Sequence, residues 1–183
     1  MTREQLEKQK IRSVLYTGSE ATVDVVLESM ETFSWVHLAC HASQEITNPL
    51  MSAIHLYDRP LTLSEIMKKK LPNAGLAFMS ACQTSSGDEN LPEEAIHLAA
   101  GMLAAGYRSV VATLWSISDA HAPEVAEIFY KNLMSNDISA GGVKLDITKS
   151  ALALHNSVQH LRKKLGNSPE ALRAWIPYIH VGI

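Results

Sequence analysis

The apolar positions of this chain fall into two kinds of pattern that take turns along its length. Short runs are apolar almost throughout: Trp35 to Cys40, Leu76 to Ala81 and Val110 to Trp115. Such runs fit strands of a parallel sheet, which is covered on both faces and so does not alternate. Between them, apolar residues recur at the three- and four-residue spacing of an amphipathic helix. Val23, Val26, Leu27 and Met30 predict the first helix. Thr62 with Glu65 makes a capping box for a second, carrying Leu63, Ile66 and Met67 and reaching Lys70. Ala95, Ile96, Ala99, Met102 and Leu103 predict a third, begun by Pro92 and stopped by Gly106. Val125, Ile128, Phe129 and Leu133 mark a fourth. Ile147, Ala151, Leu154, Val158, Leu161 and Leu165 give the clearest long helix, and Ser168-Pro169-Glu170 opens a last short one.

The remaining stretches are read around these. Ser13 to Tyr16 predicts a short first strand, and Ser34 to Cys40 and Gly75 to Cys82 predict two buried ones. Residues 42–60 read as a loop with a short strand at Ala53 to Tyr57, because Pro49, Asp58, Arg59 and Pro60 interrupt any period. Trp175 to Gly182 predicts an edge strand, since Pro177 lacks the N–H that an inner strand needs. Strands alternating with helices imply βαβ units and the α/β class.

With 183 residues and 46% hydrophobic content, the chain has the size of one domain with a real core. The net charge is −3, and the two basic triplets, Lys68-Lys69-Lys70 and Arg162-Lys163-Lys164, end helical patterns, where cations offset exposed carbonyls. No basic footprint for nucleic acid is visible. No run is apolar over a membrane-spanning length, and Met1 to Ile11 is too polar for a signal peptide. The expectation is a cytoplasmic chain with no membrane or direct nucleic-acid partner. Its two cysteines are then expected as free thiols. Without paired Cys-x-x-Cys elements or a phosphate-binding glycine loop, no metal or cofactor is expected.

Candidate chemistry sits where two buried runs end. The apolar run Leu76 to Ala81 delivers Cys82 to a polar loop, Gln83 to Gly87, where a thiol would be accessible. Its competing reading is a buried structural cysteine, a common fate for that residue. His41 ends the neighbouring run, with one helical pattern between the two. In a parallel sheet the carboxyl ends of strands meet along one rim. An imidazole beside a thiol is the usual way to raise its small thiolate fraction at neutral pH. A histidine at a strand end is more often structural when alone; beside Cys82 at the matching place, the catalytic reading overtakes that one. Cys40 falls on the opposite face from His41 and reads as core, and His37 as a satisfied core histidine deeper in the strand. The other histidines, His55 among them, form no ligand spacing.

The run His37-Leu38-Ala39-Cys40-His41, the run Ser80-Ala81-Cys82-Gln83-Thr84, the stretch Ala99 to Trp115 and the ending Trp175 to Gly182 together resemble the CHAT domain. This family of caspase and separase relatives is usually attached to tetratricopeptide repeats. The resemblance runs from Val14 to Gly182. It implies a caspase-like three-layer α/β/α sandwich with a mostly parallel sheet, here short of amino-terminal strands, and a clan CD His-Cys dyad. The chain, 1–183, would be a single such domain and the carboxyl-terminal part of a larger protein.

By the same resemblance His41 is the base and Cys82 the nucleophile of a cysteine endopeptidase acting on a protein or peptide. The N–H groups of Ala42 and Cys82 would form the oxyanion hole. Asp119 would receive a basic P1 side chain; its competing reading is a turn residue or helix cap. Tetratricopeptide-repeat segments, of the same or another protein, are the implied partners. The family usually has glycine after the catalytic histidine, whereas this chain has Ala42, which keeps the N–H but resists positive φ. That departure supports the alternative, an inactive caspase-like interaction or signalling module.

Overall fold

A computed structural model describes residues 11–43, 45, 47–80, 82–83, 94–137 and 142–183. Contacts divide the chain into two units, one of Thr17–Ile117 with Pro177–Gly182 and one built on Ser118–Ile176. In the first unit, helix α1 (Val23–Thr32) buries Val23, Val26, Leu27 and Met30, the four positions its spacing selects. Its N-cap Thr22 makes no side-chain capping bond, and the Val23 N–H donates instead to Asp58 Oδ1 at 2.9 Å. A carboxylate there suits the positive end of the helix.

The chain continues through β1 (Trp35–Leu38), β2 (His41–Ser43), β3 (Ala53–His55), β4 (Pro60–Thr62), α2 (Leu63–Met67), β5 (Leu76–Met79), β6 (Cys82–Gln83), α3 (Glu94–Ala104) and β7 (Ser109–Thr113). These strands form two sheets. The larger has the order β1, β5, β7 and the C-terminal strand Tyr178–Gly182. Its first three strands run parallel and the last antiparallel. Every residue of β5 and β7 is buried, as expected for strands covered on both faces. The smaller sheet has the order β4, β3, β2, β6. The α/β class with a mostly parallel sheet is thus what the sequence led us to expect.

One core serves both sheets. Leu38, Ala77, Met79, Val110 and Ala112 of the larger meet Ala42, Ile54 and Leu61 of the smaller, with Leu27 and Met30 of α1, Ile66 of α2 and Met102 of α3. The capping box is formed: the Thr62 N–H donates to Glu65 Oε2 at 3.0 Å and the Glu65 N–H to Thr62 Oγ1 at 3.3 Å. Gly106 ends α3 with a φ of 112°. Its N–H donates to Leu103 O at 2.9 Å and the Tyr107 N–H to Met102 O at 3.1 Å. This paired closure needs a left-handed residue, which glycine adopts without a Cβ penalty.

The second unit contains α4 (Ala122–Leu133), the hairpin β8 (Met134–Asp137) with β9 (Gly142–Leu145), α5 (Ser150–Leu165) and α6 (Pro169–Trp175). Helices α4 and α5 are tied by Glu124, which accepts from Lys164 Nζ at 2.7 Å.

Several expectations are corrected. Ser13 to Tyr16 joins no sheet, and Val14 and Leu15 are 46% and 63% exposed. Strand-favouring residues do not make a strand without a neighbour to take their hydrogen bonds. The strands expected over Ser34 to Cys40 and Gly75 to Cys82 each end early, at Leu38 and Met79, and resume in the smaller sheet. Part of the expected loop 42–60 belongs to that sheet, as the end of β2 and the start of β4, and the short strand expected at Ala53 to Tyr57 is β3, ending at His55. Helix α2 stops at Met67 rather than Lys70. The buried stripe of α5 is Ser150, Ala153, Leu154, Ser157 and Leu161, and Ala151 is exposed. The serines fit because each hydroxyl is consumed within its own helix region: Ser157 Oγ donates to Ala153 O at 2.8 Å and Ser150 Oγ to Ile147 O at 2.6 Å. The expected Pro92 start of α3 lies outside the described residues. No helix among the described residues is long and apolar enough to cross a membrane.

Candidate active site

Two neighbouring strands carry the candidate residues from one sheet into the other in step. In the larger sheet Leu38 pairs with Met79, and in the smaller one His41 pairs with Cys82 and Ala42 with Gln83, all parallel. The offset between partners is the same before and after the step, so both strands spend two residues crossing. The last link before it is the Ser80 N–H donating to Leu38 O at 3.1 Å. Adjacent strands lie about 4.8 Å apart, so register alone makes His41 and Cys82 direct neighbours.

The smaller sheet has two unlike faces. Ala42, Ile54 and Leu61 are at most 1% exposed and line the core. His41, which alternates with Ala42, is exposed, and Ser43 and His55 are half-buried. Ser43 Oγ and His55 Nε2 are hydrogen-bonded at 2.9 Å. Because Ala42 pairs with Ile54 and Ser43 with Ala53, antiparallel, the next position along sets His55 opposite His41. The order across the strands is therefore Cys82, His41, His55. The sequence reading set His55 aside. Its signal was the alternation Ala53-Ile54-His55 within an expected short strand, but nothing local says that this strand pairs with residues 41–43.

Ala42 takes an extended strand conformation, so this position does not require positive φ. It is 1% exposed and belongs to the core cluster, where a methyl group adds apolar contact instead of blocking the histidine face. Cys40 is a free, half-buried thiol packed against the core, and burial pushes its pKa up to about 11. A thiol so disfavoured as thiolate is a poor nucleophile. His37 departs from the expected core histidine. It is bonded, with Nε2 3.0 Å from Ser80 Oγ, but it is exposed on β1, not buried in the core.

Asp119 lies exposed in the turn before α4. The N-cap of that helix is His121, with no side-chain cap bond, and the Ala120 N–H donates to Ser118 Oγ at 3.3 Å. The helix-cap reading of Asp119 is thereby corrected. Thr84 to Gly87 lie outside the described residues.

A family model described as the CHAT domain matches residues 2–182. The chain belongs to the CHAT domain family. No curated protein matches it. The CHAT domain is a caspase-like, clan CD family, and the paired strand ends described above are where a thiol and an imidazole of such a domain can meet. In this CHAT domain an imidazole next to a cysteine position, on the uncommitted face of a small sheet, can accept a proton from a thiol and return it to a leaving group.

Proposed function

We propose that this CHAT domain is a cysteine endopeptidase with His41 as base and Cys82 as nucleophile. The observation that carries the reading is the parallel pairing of His41 with Cys82. His41 takes the thiol proton, and the thiolate adds to the scissile carbonyl. Collapse of the tetrahedral intermediate breaks the C–N bond, and the imidazolium gives its proton to the departing amine. Water then attacks the thioester, with His41 again as base, releasing the acid and restoring the thiol. The N–H groups of Ala42 and Cys82 are the proposed donors to the oxyanion, an interaction worth about 3–4 kcal/mol where it has been removed.

Asp119 is the proposed partner of an arginine or lysine at P1, through a charge-assisted bond. Its exposure, and its not capping α4, support that assignment. The substrate is a protein or peptide, and attached tetratricopeptide repeats would control access to it in the cytoplasm.

The test incubates the protein with peptides carrying P1 Arg or Lys and with an irreversible cysteine-directed probe, beside Cys82→Ala. Turnover lost in the variant, and label on Cys82 in preference to Cys40, are expected. Equal labelling of both cysteines, or full activity in Cys82→Ala, overturns the assignment and leaves the inactive interaction module.

A further inference from the structure

The smaller sheet is too short to set its own register. β2 has three residues and β6 two, and strands of that length are easily slipped. A one-residue slip would turn His41 away from its partner position. The pairing of His41 with Cys82 must then be inherited from β1 and β5, at the point where both strands leave the larger sheet.

At that point two bonds join them. One is the backbone bond from the Ser80 N–H to Leu38 O, 3.1 Å long. The other joins side chains: His37 Nε2 and Ser80 Oγ are 3.0 Å apart. His37 pairs with Phe78 across the strands, and their ring centroids are 4.7 Å apart at 45°. Ser80 follows Phe78 by two residues, so it falls on the same side of the pleat. The ring is thus held by Phe78 beneath and Ser80 ahead. Nothing in the chemistry proposed for His41 and Cys82 uses either residue, yet they are the last side chains to link the two strands before the crossing.

We propose that His37 and Ser80 are positioning residues, a side-chain tie that locks the exits of β1 and β5 together and so sets the register of His41 against Cys82. This rests on the reading of His41 and Cys82 as the reacting pair. The tie forms in either tautomer, with the Ser80 hydroxyl donating to Nε2 or the Nε2–H donating to Oγ. Neither residue touches substrate; both act through the strands they join.

The experiment uses the full chain and four variants. Ser80→Ala and His37→Phe delete the bond, the latter while keeping an aromatic ring against Phe78. His37→Gln keeps a polar group within reach of Ser80, and the double variant Ser80→Ala/His37→Phe completes a cycle. The readouts are kcat and KM on a P1-Arg peptide, the rate of Cys82 alkylation across pH, and the thermal midpoint.

Deleting the bond should lower kcat and the rate of Cys82 alkylation below neutral pH by about ten- to a hundredfold, the scale of a small misplacement. KM should stay within about twofold. The double variant should lose little more than either single one, since both remove one interaction, and His37→Gln should recover part of the rate. Wild-type kcat and alkylation in folded Ser80→Ala or His37→Phe overturn the tie, as do additive losses or losses that follow only the thermal midpoint. If Ser80→Ala fails to fold, His37→Phe against His37→Gln decides by the same criteria. A wild-type Cys82 that alkylates like an ordinary thiol, in a chain that Cys82→Ala leaves unchanged, overturns the dyad itself and the tie with it. An activated wild-type Cys82 that is indifferent to the tie variants overturns the tie alone.

Discussion

The larger and smaller sheets of the first unit share two stretches of chain, β1 running into β2 and β5 into β6, yet their strands meet very different surroundings. In the larger sheet β5 and β7 are buried at every position. In the smaller sheet Ala42 and Ile54 face the core while His41, Ser43 and His55 alternate with them and keep access to solvent. A strand covered on both faces can hold two partners in register but has no free face on which to offer a reagent. A strand covered on one face can offer one, at the expense of its own rigidity. Running β5 on into β6 lets a covered strand align what the open sheet presents.

If that division holds, the heaviest loss of stability should come from the larger sheet. Phe78 is 1% exposed, and Phe78→Ala should destabilise the fold by about 3–5 kcal/mol in denaturant unfolding. A loss below about 1 kcal/mol would break the comparison. Gly106→Ala comes next. Its φ of 112° would be forced on a residue with a Cβ, so about 1–2 kcal/mol should be lost, read as a lower unfolding midpoint with unchanged slope.

On the open face the effects should be smaller. Ser43→Ala removes the 2.9 Å bond to His55 and should cost about 0.5–1.5 kcal/mol, since the partner is only half-buried and water can replace it. A loss as large as that of Phe78→Ala would mean that the smaller sheet carries structural weight of its own. The slightest effect concerns acid. Bonding by the Thr62 N–H first, and then by the Thr62 hydroxyl and Arg59, holds the Glu65 carboxyl below the usual range. A group lowered on folding contributes stability that is full above its unfolded value, about 4.3, and lost as pH falls through the folded value. Glu65→Gln should therefore be less stable than the parent near neutral pH and lose less as the solution is acidified; parallel curves would remove Glu65 from the account.

How much of this was readable along the chain varied with how local the cause was. The buried stripe of α1, the capping box at Thr62 and Glu65 and the halt of α3 at Gly106 all follow from residues within a few positions of each other. The crossing between sheets did not show, because Ala39 and Cys40 prolong the apolar run of β1 without a break. Apolar pattern foretold the covered faces of β5 but not of β1, expected as buried, where only Leu38 is buried and His37 is exposed. The stripe of α5 was read one position off where Ser150 and Ser157 are buried, since a serine looks polar until its hydroxyl is seen to bond a carbonyl of its own segment. The hairpin of β8 and β9 does not show either: Ser135, Asn136 and Asp137 are poor strand formers, and their ladder comes only from pairing with Gly142–Lys144.

By itself the sequence determined the α/β class, the helices, the family and the choice of His41 and Cys82 over Cys40 as the residues of interest, because each depends on spacing, local bonding or ordered motifs. Tertiary structure decided that His41 and Cys82 share a rung of the smaller sheet, that His55 stands on the far side of His41 and that Ala42 rests in the core in extended form. Register is a relation between distant segments, and only the pairing of β1 with β5, carried intact into β2 and β6, sets it.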